Sequence, residues 1–295
     1  NRHPTMARNQ MVLDMSNPKV EDYLFNCISK ILDEANISYI KWDFNRSLTN
    51  VYSKGLTQKK QGEVAHRFIL GTYSLLERLL NAYPNLMIEG CSGGGGRFDA
   101  GMLYYCPQIW CSDDTDAIER LEIQEGTSFG YPVSAVGSHV SASPNHQTGR
   151  ATPLSTRGVV AMSGTFGYEL DVTKLSPEDK AEIKEQIKTF KKYYWLIQKG
   201  DYYRLVDNEH FEIYKAWEFA AVDKSEALVN IVVKKLEANA KIKLIKLKGL
   251  EEDSLYELEG TDKVMSGAAL MYGGFAINIA MGSYPSAQLH FKKLS

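Results

Sequence analysis

The segment Tyr39-Ile40-Lys41-Trp42-Asp43-Phe44-Asn45 decides the fold, because a short β-favouring run ends there in polar side chains at alternate positions. Residues two apart in a strand point to the same side, so we expect Lys41, Asp43 and Asn45 on one face. Three polar groups on one side of a buried strand normally contact a ligand or one another. A purely structural ion pair between Lys41 and Asp43 is the alternative.

Apolar strands and amphipathic helices alternate on both sides of this segment. The predicted strands cover residues 11–15, 39–43, 86–91, 109–111, 135–140 and 165–170. Helices are predicted between these strands. The first begins at Asn17-Pro18, the second covers residues 64–79, the third begins near Asp116, the fourth covers residues 152–162 and the fifth runs from Ser176 to Gly200. Polar or glycine-rich residues follow the strands, which is typical of parallel α/β proteins with sites at strand carboxyl ends. We count about six βα units, two short of a closed (β/α)8 TIM barrel.

The pattern changes after about Gly200. Residues 217–222 and 227–233 read as strands, and residues 241–248 alternate lysine with apolar side chains. Turn signals separate these runs, which predicts an all-β antiparallel sandwich. We therefore expect two domains: the carboxyl-terminal portion of a catalytic barrel over residues 1–203 and a β-sandwich domain over residues 204–295.

Composition restricts the kinds of molecule that we expect the chain to bind. Hydrophobic residues make up 44% of the 295 residues, charged residues make up 24%, and the net charge is −2. We therefore expect neither nucleic acid nor membrane as a partner. The four cysteines lack CxxC spacing and clustered histidines, so neither a metal site nor a disulfide framework is expected. No cofactor is expected, and the default location of such a protein is cytoplasmic.

Two aspartates carry the chemistry that we expect. Asp43 and Asp113 lie 70 positions apart, each near the end of a predicted strand. Two carboxylates over one pocket suit cleavage of a glycosidic bond, one attacking the anomeric carbon and one protonating the leaving oxygen. Lys41 would hold Asp43 ionised, and the apolar wall of Trp110 and Cys111 would favour the protonated form of Asp113.

Two neighbouring motifs have other interpretations. The acids of 113–116 could simply serve a helix N-terminus, which explains Asp116 better than Asp113. They lack the spacing of a calcium loop. The glycine run of 92–97 lacks the flanks of a phosphate-binding loop, so it either brings backbone close to a ligand or forms a flexible loop.

Several ordered motifs resemble the α-galactosidases of glycoside hydrolase family 36. They are Lys41-Trp42-Asp43-Phe44-Asn45-Arg46, Cys91-Ser92-Gly93-Gly94-Gly95-Gly96-Arg97-Phe98-Asp99, Trp110-Cys111-Ser112-Asp113-Asp114-Thr115-Asp116, and Gly137-Ser138-His139-Val140-Ser141 with Pro144-Asn145-His146-Gln147. The resemblance covers residues 8 to about 204 and continues more weakly beyond them. It implies a retaining enzyme that releases terminal α-galactose from substrates such as raffinose and melibiose.

The resemblance also implies the roles of individual residues. Asp43 matches the nucleophile and Asp113 the acid/base. The residues that match sugar-binding positions are Arg8, Lys41, Asn45, Cys91, Gly93 and Trp110. The family often forms homo-oligomers, so self-association is a further possibility.

One departure from the family affects the expected activity. Family members carry a β-domain and two barrel strands before the position that corresponds to Asn1, so we expect this chain to lack an N-terminal part and to be weakly active or inactive alone. Within the same chemistry, an α-N-acetylgalactosaminidase or a galactosyl transferase remains open. A non-catalytic carbohydrate-binding fragment is the alternative from a different class.

Overall fold

The computed structural model describes residue 6 and residues 9–45, 47–206, 213–236, 243–277 and 282–294. The chain forms two compact units, residues 1–113 and residues 114–295. The predicted domain boundary between residues 203 and 204 stays a prediction.

The first unit is an α/β structure built around three parallel strands. Its elements are α1 (Pro18–Glu34), β1 (Tyr39–Asp43), α2 (Val64–Ala82), β2 (Met87–Cys91), α3 (Ala100–Tyr105) and β3 (Gln108–Trp110). β2 pairs in parallel with β1 and with β3. The connections contain helices, as parallel pairing requires. This arrangement brings the carboxyl ends of the three strands to one edge of the sheet.

Local signals explain where the first helix begins. The Asn17 side chain accepts a hydrogen bond from the Lys19 backbone N–H at 3.1 Å, and Pro18 occupies the first turn. A side-chain cap and a proline at this point are the expected start of a helix. The prediction of a helix beginning at Asn17-Pro18 is confirmed.

The helices cover the apolar face of the sheet. Phe68, Leu75 and Leu79 of α2 are buried in one cluster with Ile88 of β2 and Ile109 of β3. Each fully buried leucine contributes about 1.5–3 kcal/mol of transfer free energy. The core therefore occupies one side of the strands and leaves the alternate residues of each strand to the opposite side.

One predicted strand is wrong. Residues 11–15 form no strand, and the side chains of Met11 and Leu13 are 68% and 51% exposed. Asp14 accepts hydrogen bonds from the backbone and hydroxyl of Ser16 and from the Ser53 hydroxyl, so the segment turns directly into α1. We predicted about six βα units, whereas the described residues contain five parallel strands.

The second unit begins with α/β structure. Its first elements are α4 (Ala117–Thr127), β4 (Val136–Ser141), α5 (Leu154–Ala161), β5 (Thr165–Glu169) and α6 (Pro177–Lys199). β4 and β5 are parallel neighbours. Ser176 caps the start of α6 by accepting a hydrogen bond from the Asp179 backbone N–H, and Gly200 follows its last residue, as predicted.

The rest of the second unit is antiparallel. Its strands are β6 (Asp201–Arg204), β7 (Tyr214–Ala220), β8 (Glu226–Val233), β9 (Lys243–Ile245), β10 (Leu255–Leu258), β11 (Val264–Ser266), β12 (Phe275–Ile277) and β13 (Ser286–Lys293). The six-stranded sheet has the order β11-β10-β13-β8-β7-β6, and β9 pairs with β12. One face of the larger sheet packs on Ile245 and Phe275 of the small sheet, and the other packs on Leu196 and Ile197 of α6.

Candidate active site

The sheet of the first unit has one polar face. Lys41 lies beside Glu89 and Asp43 beside Cys91 in the register of β1 and β2, and Glu89 lies beside Gln108 of β3. Because side chains alternate along each strand, these residues share one face, and the apolar core lies behind the other. The grouping that the sequence predicted for Lys41 and Asp43 extends across all three strands.

Asp43 is exposed at the last position of β1, and Asn45 fixes its carboxylate. The Asn45 amide donates to Asp43 Oδ2 at 2.5 Å, and the Asn45 carbonyl oxygen accepts from the Gly93 backbone N–H at 2.5 Å. Asn45 thus joins the end of β1 to the glycine turn after β2. The Asn45 amide therefore donates to Asp43, while the Gly93 N–H holds Asn45 itself in place.

Cys91 lies beside Asp43 as a buried, neutral thiol. Burial raises the pKa of the Cys91 thiol to about 11, a hydrogen bond with Asp43 adds to the rise, and a hydrogen bond from the Gly94 backbone opposes it. A protonated thiol can donate a hydrogen bond and carries no charge to repel the carboxylate. The Cys91 thiol therefore contacts Asp43 without adding a negative charge beside it.

The glycine run after β2 is an ordered turn. The Ser92 backbone N–H donates to the Gly94 carbonyl at 2.8 Å, and the Ser92 hydroxyl donates to the Phe44 carbonyl at 2.5 Å. Gly93 and Gly94 have φ of +55° and +76°, which lie in the region that favours glycine. A β-carbon on Gly93 would meet open space. The turn therefore presents the Gly93 backbone to solvent.

Asp113 is exposed, three residues after the end of β3. A β-carbon on Gly94 would lie 2.7 Å from the Asp113 backbone nitrogen, so the glycine turn packs directly against the acid-bearing segment. β1 and β3 flank β2, so their axes lie about two strand spacings, roughly 10 Å, apart. The turn that bonds to Asn45 on one side thus contacts Asp113 on the other.

Lys41 has a different partner from the one that we expected. Its ammonium lies 3.7 Å from Glu89 Oε1 and 4.9 Å from the centre of the Trp110 ring. Within the described part of the chain, its carboxylate partner is Glu89, so the alternative of a structural Lys41–Asp43 ion pair is wrong. The expectation that Lys41 holds Asp43 ionised stays a prediction. The buried Glu89 attracts the cation more strongly than the exposed Asp43, because water screens it less.

Sequence reasoning missed Glu89. Its side chain is 3% exposed, and Oε2 accepts hydrogen bonds from the Tyr39 hydroxyl and from Gln108 Nε2 at 3.3 Å. Burial and this bond raise the pKa of the Tyr39 hydroxyl. One sequence feature could have indicated its role: it is the single acid inside the apolar strand of residues 86–91, two positions before Cys91.

Trp110 and Arg8 are two other predicted sugar-binding residues. The Trp110 ring is buried beneath the Lys41 ammonium, so it supports the cation from the floor of the polar face. Arg8 lies outside the described residues. Trp110 is neutral, so it adds no charge beside the two aspartates.

The acids that follow Asp113 serve the next helix. Asp116 caps α4 by accepting from the Ile118 backbone at 2.8 Å, and Arg150 lies 2.7 Å away. Burial would raise the pKa of Asp116, but hydrogen bonds from Thr148, Ile118 and Arg150 lower it. The helix N-terminus interpretation is therefore confirmed for Asp116.

A cleft of about 470 Å³ borders the end of β1. Met11, Leu13 and Trp42 line it together with Asp43 and Asn45. Asp43 and Asn45 therefore border both this cleft and the polar face of the sheet. Among residues that the structure describes, no cluster of three histidines, cysteines or acids could hold a metal ion, and no helix could span a membrane.

Comparison with known proteins gives the family. The melibiase family matches residues 1–200, and the C-terminal domain of glycosyl hydrolase family 36 matches residues 214–291. The chain belongs to glycoside hydrolase family 36. The resemblance inferred from the sequence motifs is confirmed.

Characterised relatives match nearly the whole chain. It is 50% identical to the bifunctional α-galactosidase/sucrose kinase AgaSK of Mediterraneibacter gnavus over 293 residues, which cover 99% of this chain and 30% of that protein. It is 48% identical to the α-galactosidase AgaA of Geobacillus stearothermophilus, with coverage of 99% and 40%. The family 36 chain thus spans about 30–40% of the length of these curated relatives.

Solved structures of family members superpose closely. The crystal structure of AgaA from G. stearothermophilus gives a TM-score of 0.96 at 47% identity and covers 100% of this chain and 41% of that one. A variant of AgaA has been solved with raffinose, and another with stachyose. These matches confirm the predicted fold class, part of a (β/α)8 barrel followed by an antiparallel β domain.

Proposed function

We propose that the complete protein containing this chain is a retaining α-galactosidase. The observation that carries the proposal is the placement of Asp43 and Asp113, both exposed, at one edge of a parallel sheet. One glycine turn links them: Gly93 bonds to Asn45, the partner of Asp43, and Gly94 packs against the Asp113 backbone. Exposed carboxylates on neighbouring segments of a polar face are the groups that cleavage of a glycosidic bond uses.

The two aspartates have separate roles in the proposed reaction. Asp43 attacks the anomeric carbon while Asp113 donates its proton to the leaving glycosidic oxygen, which forms a galactosyl ester on Asp43. Asp113 then removes a proton from water, the water oxygen attacks the anomeric carbon, and Asp43 leaves as a carboxylate. This double displacement retains the configuration at the anomeric carbon.

The remaining polar groups hold the sugar. The Lys41 ammonium and the Asn45 amide donate hydrogen bonds to hydroxyls, and the space beside the Gly93 α-carbon is open to a ligand. Cys91 contributes a neutral thiol beside Asp43. We assign further contacts to Trp110, as the border of the sugar, and to Arg8.

Solved complexes of a relative support this assignment. An aspartate-to-asparagine variant of AgaA binds raffinose, and an aspartate-to-alanine variant binds stachyose. The two substituted aspartates lie 70 positions apart in AgaA, the same separation as Asp43 and Asp113 here. The alignment with AgaA, 48% identical over 296 residues, supports equating the two pairs of aspartates.

Hydrolysis assays on the complete protein test the proposal. We expect release of nitrophenol from nitrophenyl α-galactoside, with α-galactose as the first sugar product seen by proton NMR. Faster turnover of nitrophenyl α-N-acetylgalactosaminide, or net transfer of galactose to an added sugar, would assign a different activity of the same chemistry. Binding of galactose in calorimetry without any turnover would leave only a carbohydrate-binding function.

Location and assembly are further parts of the proposal. All four cysteines are free, as expected for a protein that works in a reducing compartment, so we place the protein in the cytoplasm. We also expect self-association of the complete protein, which light scattering coupled to size-exclusion chromatography would measure.

A further inference from the structure

Glu89 is a buried acid on the polar face, and the proposed reaction gives it no part. Its Oε2 is saturated by the Tyr39 hydroxyl and the Gln108 amide. Its Oε1 receives no hydrogen bond from the described residues and lies 3.7 Å from the Lys41 ammonium. A carboxylate with one oxygen held rigidly and the other open only to a cation acts as a fixed anchor for that cation.

Lys41 has two carboxylates within reach. Lys41 and Asp43 are two residues apart on one face of β1, so their Cα atoms are about 6.6 Å apart, a distance that a lysine side chain spans. The ammonium nevertheless lies beside Glu89 and over the Trp110 ring. Water can solvate the exposed Asp43 carboxylate in place of the cation, but it cannot do so for the buried Glu89 carboxylate.

The choice of partner matters for the reaction. An ion pair between Lys41 and Asp43 would stabilise the nucleophile in the ground state, and interactions of that kind raise the barrier to attack. It would also occupy the ammonium donors that the sugar hydroxyls need. The position of the ammonium therefore affects both the attacking group and the binding of substrate.

We propose that Glu89 is a positioning residue of this site: its buried carboxylate holds the Lys41 ammonium beside Trp110 and away from Asp43. Asp43 then stays free to attack the anomeric carbon, and Lys41 stays free to bind sugar hydroxyls. This inference rests on the proposed α-galactosidase function. Tyr39 and Gln108 support it by fixing the orientation of the Glu89 carboxylate.

A double-mutant cycle on the complete protein tests whether Glu89 acts through Lys41. We expect Glu89→Gln to lower kcat/KM by roughly 10–100-fold, the range that a misplaced active-site group produces. The acid limb of the pH–rate profile should move to lower pH, because the released cation favours the ionised form of the nucleophile. In a Lys41→Met background, Glu89→Gln should cause no further loss. Equal losses in the two backgrounds would overturn the proposal.

Two variants separate positioning from stability. Glu21 is another buried carboxylate of the first unit and lies 2.6 Å from Arg78 of α2. Glu21→Gln removes a comparable ion pair, and we expect its kinetics to match the wild type. If Glu89→Gln fails to fold, Tyr39→Phe removes one of the two hydrogen bonds to Oε2 and should lower kcat/KM several-fold with the same shift of the acid limb. Unchanged kinetics in Tyr39→Phe would then count against the proposal.

The outcomes distinguish the two levels of inference. A wild-type protein that hydrolyses α-galactosides while Glu89→Gln behaves as Glu21→Gln overturns only the role of Glu89. A wild-type protein without turnover overturns the proposed function, and the role of Glu89 with it.

Discussion

Gly94 lies directly against the backbone of Asp113. A β-carbon at Gly94 would lie 2.7 Å from the Asp113 nitrogen and 2.6 Å from the Ser112 Cα, separations that real β-carbons essentially never show. Gly94 also has φ of +76°. Two independent requirements, left-handed backbone and close backbone approach, therefore demand glycine where the turn meets the segment that carries the proposed acid.

We expect Gly94→Ala in the complete protein to displace Asp113. Either the turn or the acid-bearing segment must move, and a shift of about 1 Å near the reacting groups lowers turnover by about 100-fold. Gly260→Ala is a matched control, because Gly260 has φ of +78° and open space where the β-carbon would go. The control should lose roughly 1–2 kcal/mol of unfolding free energy from backbone strain alone and keep its activity. Equal kcat/KM for the two variants would show that the contact with Asp113 is unimportant.

The roles of the two aspartates predict opposite responses to the leaving group. Asp113→Asn removes the proton donor, so turnover of unactivated galactosides should fall by about 100- to 10,000-fold. A dinitrophenyl galactoside needs little protonation, and its first step should recover. Asp43→Asn removes the nucleophile and should be inactive towards both substrates.

Burst kinetics checks this assignment. Asp113→Asn should release a burst of dinitrophenol equal to the enzyme concentration, because the galactosyl ester forms and then hydrolyses slowly. Asp43→Asn should show no burst. The reverse pattern would exchange the two roles.

The site was predictable from the sequence where local chemistry decides position. Strand β1 and the polar face of Lys41 and Asp43 follow from alternation along the chain. The starts of α1 and α6 follow from Asn17-Pro18 and Ser176 because caps are satisfied within a few residues.

Partners across strands were not predictable in this way. The Lys41–Glu89 pair depends on the register of β1 against β2, which no local signal in either strand encodes. The apolar residues 11–15 read as a strand, but the hydrogen bond of Asp14 with Ser53 joins two distant segments and turns the chain instead. The contact of Gly94 with Asp113 likewise arises only when the two loops meet.

The Cys91 thiol should be slow to alkylate. Burial raises its pKa to about 11, so little thiolate is present at pH 8, and the thiolate is the reactive form. Cys27 is exposed and should react first with iodoacetamide, as mass spectrometry of timed samples would show. Cys106, also buried and with its pKa raised to about 12, serves as the slow reference. Alkylation of Cys91 as fast as that of Cys27 would contradict a buried thiol paired with Asp43.

Glu218 should make the stability of the second unit depend on pH. The residue is fully buried in β7, and Oε2 accepts from the Lys248 backbone N–H at 2.9 Å. Burial raises its pKa to about 8, and the hydrogen bond from Lys248 opposes the rise. An unfolded glutamate titrates near pH 4.3, so the folded state holds the extra proton between these values. Its contribution is fully present below about pH 4 and is lost as pH rises towards 8, by at most about 1.4 kcal/mol per pH unit.

Two substitutions separate the titration from the hydrogen bond. Glu218→Gln keeps an acceptor for Lys248 but cannot titrate, so its unfolding free energy relative to the wild type should rise steadily between about pH 4.5 and 8 and then level off. Glu218→Leu should follow the same trend with a constant penalty of about 1–3 kcal/mol, because the Lys248 N–H loses its acceptor. Urea unfolding at intervals across this range measures both. Differences from the wild type that do not change with pH would mean that the buried Glu218 side chain is ionised throughout.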